Sequence, residues 1–111
     1  MSEPAPLAVT VELRLLDTGP RVDRVFREAA EISDRGLTVV ATIPYEAGRP
    51  VACSFALPGD DLPLTLTAII DAPPRARGQE PPPADSVTFR ELTDDARTRI
   101  ERYTRERNSQ P

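Results

Sequence analysis

A period of two constrains this chain more than any other feature. From Val9 to Leu15, from Val51 to Leu57 and from Leu64 to Ile70, apolar residues recur at every second position, mostly with small or polar residues between them. That spacing puts one side of an extended chain into a core and the other into water, as in a half-buried strand. Leu37 to Ile43 is a β-branched run of the same kind, and a further strand is predicted from about Ser86 to Glu91. Asp17-Thr18-Gly19-Pro20, Pro44 to Pro50 and Pro58 to Pro63 punctuate these runs with turn residues. Ala72 to Ala84 holds five prolines and one glycine and reads as a loop.

Arg21 to Ile32 does not fit the pattern. Val22, Val25, Phe26, Ala29 and Ala30 fall at helical spacing after a proline, whereas a strand would place Val22, Arg24, Phe26, Glu28 and Ala30 on one face. Periodicity alone favours a helix here.

The chain closes with a clearer helix. Thr93 suits the N-cap, Asp94 and Asp95 sit in the first turn, arginines crowd the end, and Ala96, Ile100 and Tyr103 form a narrow apolar stripe. Its last turn is expected to fray. Residues 1–7 read as a disordered lead, 8–107 as one domain, and 108–111 as a tail. Short strands followed by one helix argue for a mainly β protein: a small six-stranded antiparallel β-barrel with one C-terminal α-helix.

Composition narrows the function. With 111 residues, 39% apolar and 5% aromatic, the core must be built from Val, Leu, Ile and Ala. There is no histidine and one cysteine, which argues against an internal disulfide, a Cys-rich zinc site and the commonest general base. No nucleophile–base pair or metal set stands out, so no catalytic residue, metal or cofactor is expected and an enzyme is not. All 14 basic residues are arginines against 18 acidic ones, with a net charge of −4 and no basic run, which disfavours nucleic acid. No stretch is apolar enough for a signal peptide or membrane span, and a soluble cytoplasmic setting is expected.

Glu31-Ile32-Ser33-Asp34-Arg35-Gly36, running into Leu37 to Ile43, resembles the D/N-x-S-x-x-G signature of PilZ domains, small bacterial β-barrels of cyclic-di-GMP signalling. Phe55-Ala56-Leu57-Pro58-Gly59, and Val87 to Thr93 running into the last helix, extend the likeness from about Val9 to Arg105. The resemblance implies a strand at Arg21 to Ile32. It also implies a guanine-facing turn at Glu31, Ser33 and Gly36, where Glu keeps the acceptor but is one methylene longer than Asp.

The family's second device, an R-x-x-x-R segment before the first strand, has no match, since Met1 to Ala8 contain no arginine. Arg21, Arg24 and Arg27 are the candidate substitutes. Two functions follow from the resemblance. One is a protein-interaction adaptor in motility, secretion or signalling, with weak or no nucleotide binding. The alternative is a cyclic-di-GMP receptor with a non-standard arginine set. For an adaptor, Tyr45 and Arg49 in the Pro44 to Pro50 loop are the expected contacts with an unknown protein partner, replaceable with little effect on stability.

Overall fold

The computed structural model describes residues 3–72 and 84–109. Among these, seven strands and one helix follow in order: β1 (Ala5–Pro6), β2 (Thr10–Leu15), β3 (Arg24–Ile32), β4 (Gly36–Ile43), β5 (Pro50–Phe55), β6 (Leu64–Ile70), β7 (Ala84–Arg90) and α1 (Asp94–Asn108). β3 pairs with β2, β2 with β5, β5 with β6, β6 with β7, and β7 with β4, which returns to β3. Six antiparallel strands therefore close a barrel, with β1 added beside β3. The expected mainly β barrel with a C-terminal helix is what the chain forms. From residue 73 to 83 the proline-bearing loop lies outside the described residues.

The alternating runs fill the barrel. Val11, Leu13 and Leu15 from β2, Val51, Cys53 and Phe55 from β5, Leu64, Leu66, Ala68 and Ile70 from β6, and Val87 and Phe89 from β7 are all buried. Each aliphatic group so removed from water contributes about 1.5–3 kcal/mol. The interior is packed with side chains and is not a ligand chamber.

β3 is a strand, and a bulge explains its helix-like spacing. Against β2, Thr10 faces Glu28 and Leu13 faces Val25, while against β1, Ala5 faces Ile32. The register with β4 also shifts between Ala29 and Glu31. One extra residue at Ala29–Ala30 thus switches the inward set from odd to even numbers, and Ala29 and Ile32 are both buried at a spacing of three. Val22 and Phe26, which suggested an apolar helix face, are exposed.

Residues 5–7, read from the sequence as part of a disordered lead, are paired and packed in the structure. Ala5 and Pro6 pair with Ile32 and Glu31, the Leu7 N–H donates to the Ala30 carbonyl at 3.0 Å, and Ala5 and Leu7 are buried. They continue the odd-numbered inward set of β2 beyond the bulge. Pro6 is tolerated because β1 is an edge strand.

The helix is capped as expected, the Thr93 Oγ1 accepting from the Ala96 N–H at 3.1 Å. Ala96, Ile100 and Thr104 are its buried residues, four apart, with Tyr103 partly buried beside them. The Tyr103 hydroxyl donates to the Pro6 carbonyl at 2.6 Å. Asn108, assigned to a tail by the sequence, is the last helical residue and donates to the Glu3 carbonyl at 3.2 Å. The end of α1 is therefore tied to the lead. No helix among the described residues is long and apolar enough to cross a membrane.

Candidate functional site

The β3–β4 turn holds itself in shape through its own backbone. The Ser33 N–H donates to the Gly36 carbonyl at 3.0 Å, and the Ser33 Oγ accepts from the Arg35 N–H at 3.1 Å. The turn is also sewn to β7, since the Phe89 N–H donates to the Arg35 carbonyl at 2.7 Å. Gly36 pairs with Thr88, and a Cβ on it would lie 2.1 Å from the Val87 carbonyl oxygen. Glycine is required there by backbone approach; its φ is not in the left-handed region. Asp34 reaches α1, its carboxylate 3.6 Å from the Arg97 guanidinium.

Glu31, Ser33 and Gly36 do converge, on an open cleft of about 220 Å³. Its other walls were not foreseen from the sequence. They are Pro4 from the lead, Asp71 after β6, and Ser86 and Thr88 on β7. The Asp71 carboxylate accepts from the Ser86 hydroxyl at 2.8 Å and from the Thr88 hydroxyl at 2.5 Å. Ser86 and Thr88 alternate with the inward Val87 and Phe89, a signal that puts the two hydroxyls on one face. Only barrel closure brings that face to Ser33. The cleft carries two carboxylates, Glu31 and Asp71, and one guanidinium, Arg35. It is suited to hydroxyl and amide donors more than to a dianion.

Arg21, Arg24 and Arg27 are not brought to this cleft. At the rise of a strand, Arg27 lies about 20 Å from Ser33 along β3, and Arg24 and Arg21 lie farther still. Arg24 pairs with Glu12 at 3.0 Å. Arg27 donates to the Thr42 and Phe26 carbonyls, both at 2.8 Å. Between Thr38 and Ile43 the register of β4 with β7 breaks, and Arg27 bonds a carbonyl within that break.

Tyr45 and Arg49 form a clamp and not a pair of free contacts. The Tyr45 hydroxyl donates to the Asp23 carboxylate at 2.7 Å, and its ring packs partly buried against the core. Arg49 grips Asp17 through two nitrogens, at 2.8 and 3.2 Å. These bonds, which join the β4–β5 loop to the β2–β3 turn, tie both residues into the fold as well as leaving them at its surface.

The electrostatics follow these bonds. The hydrogen bond from Arg49 holds the Asp17 carboxyl below its ordinary value, and the Arg49 guanidinium is raised in turn. Burial, then the bond to Asp23, pushes the Tyr45 phenol up to about 12. Burial alone pushes the Cys53 thiol up to about 12, leaving it inert in the core. Asp60, a turn residue in the sequence, is depressed by its bond from Arg99.

No family model and no curated protein matches this sequence. Among solved structures, that of the Bacillus subtilis inhibitor of motility, MotI/DgrA, is similar, with a TM-score of 0.72 and 13% identity. The match covers 100% of this chain and 53% of that one, so the chain spans about half the length of that structure. The fold is PilZ-like. The Ser33 turn joins two adjacent strands of that barrel, β3 and β4, and Pro4 lies on the cleft beside it.

Proposed function

We propose that this chain is a PilZ-like regulatory module of cyclic-di-GMP signalling that acts by binding a protein, in motility, secretion or signalling, and not as a nucleotide receptor or an enzyme. One observation carries the proposal. The lead, where the family's arginine clamp would be, is strand-paired to Glu31 and Ile32, and it sets Pro4 rather than a cation on the cleft.

A clamp of two guanidinium groups supplies several charge-assisted bonds, each worth about 1.5–3 kcal/mol. Without them, and with Glu31 and Asp71 outnumbering Arg35 on the cleft that a dianionic ligand would enter, affinity should be no better than high micromolar. The likeness to a motility inhibitor supports a regulatory role, and the absence of a membrane-spanning helix among the described residues is compatible with a cytoplasmic setting.

Calorimetric titration of cyclic-di-GMP at low salt tests this. No saturation of the heat up to about 100 μM is the expected result, since binding of only ~5 kcal/mol leaves the site mostly empty at that concentration. Sub-micromolar binding that Ser33→Ala abolishes would overturn it and restore the receptor alternative.

A further inference from the structure

Among the described residues five large apolar side chains are exposed, and four lie on or at the ends of one face, the outside of β2, β3 and β4. They are Leu16 (45% exposed), Val22 (69%), Phe26 (55%) and Val40 (72%). On the same face Arg14 and Arg24 stand directly opposite each other in the β2–β3 register. Like charges directly opposite across a ladder are unfavourable. Arg24 is partly compensated by Glu12 at 3.0 Å, and it also lies over the Phe26 ring at 5.6 Å. Glu28 accepts from Thr10 at 2.7 Å. Arg14 has no ion pair among the described residues. An exposed aromatic beside an opposed arginine pair breaks two rules of sheet surfaces at one place, and such violations mark binding sites.

We propose that this face docks an acidic, aliphatic protein segment. One carboxylate would bridge Arg14 and Arg24, and neighbouring aliphatic side chains would cover Phe26 and Val40. The inference deepens the interaction-module reading and rests on it. Charge selects the occupant. Arg24 is already paired with Glu12, which leaves Arg14, directly opposite it, as a ladder cation with no ion pair among the described residues, and a carboxylate from a partner is the group that would satisfy it. A second copy docking through the same face would set arginines against arginines. An anionic membrane needs a cluster of about four to eight basic residues, and the two strand arginines of this face, with Arg24 already paired to Glu12, fall short of that.

The test is an amide NMR titration of the full chain with a synthetic peptide alternating glutamate and leucine. A lysine–leucine peptide and phosphatidylserine vesicles are run alongside. Shifts confined to residues 12–16, 22–28 and 40–42 are expected, with the acidic peptide only. Arg14→Glu and Phe26→Ser should each weaken binding at least tenfold. Because Arg14→Glu removes a like-charge contact, it should also raise Tm, by about 2 °C; a lower Tm would contradict the opposed-pair argument. Equal binding of the lysine peptide, preference for vesicles, or dimerisation through Phe26 would overturn the proposal. Shifts elsewhere on the barrel would overturn this surface and leave the interaction module standing. Tight cyclic-di-GMP binding would overturn the module itself.

Discussion

Gly36 and Val87 are in backbone contact: a methyl group at Gly36 would meet the Val87 carbonyl oxygen at 2.1 Å. This is the seam where β4 joins β7 and the barrel closes. Gly36→Ala should therefore cost about 1–3 kcal/mol or more, since neither strand can move without opening the ladder. Thermal denaturation should show a Tm lower by roughly 10 °C. A neutral effect would mean that the glycine serves a ligand and not the fold.

The Tyr45–Asp23 and Arg49–Asp17 bonds predict a stability effect where the sequence suggested a free surface. Tyr45→Ala should destabilise by about 2 kcal/mol, less than a fully buried aromatic because the ring is only partly buried. Urea unfolding measures it. Arg49→Ala should shift the midpoint in the same direction by a smaller amount.

Alkaline pH should unfold the protein early. Tyr45 and Cys53 both have folded values pushed up to about 12, above ordinary values of 10.0 and 9.0. The native state keeps protons that the unfolded chain has released, so stability is full below about pH 9 and falls as pH rises toward 12. Tyr45→Phe should flatten the part of this loss above pH 10, read from urea midpoints across that range. An unchanged profile would contradict the burial assigned to the phenol.

Acid acts through Asp60 and Asp17. The Arg99 guanidinium, with its side chain 12% exposed, donates to Asp60 at 2.7 Å and also to the Leu62 carbonyl, fixing α1 to the β5–β6 turn. Both carboxyls lie below the ordinary 3.8 in the folded state. Their contribution is present above that value and disappears as pH falls through the folded values. Asp60→Asn should lower stability at neutral pH and reduce the loss between about pH 5 and 3.

How much of this was legible depended on range along the chain. β2, β5 and β6 alternate cleanly and were readable, and so was the Thr93 cap. β3 was obscured by its own bulge, because Ala29 and Ile32 are inward at a spacing that imitates a helix. β1 escaped because two residues, one of them proline, make too short a pattern to register. The Ser33 turn was readable as a local motif. Its facing wall of Asp71, Ser86 and Thr88 was not, since barrel closure alone sets that juxtaposition. The bonds of Tyr45 and Arg49 were hidden for the same reason: their partners lie 22 and 32 residues away.

Amide NMR of the full chain titrated with cyclic-di-GMP at low salt tests the central claim most directly, because it reads affinity and location together. The account predicts no saturable shift at Ser33, Arg35 or Gly36 below about 100 μM ligand. Saturable shifts at those amides in the low micromolar range, lost in Ser33→Ala, would contradict it.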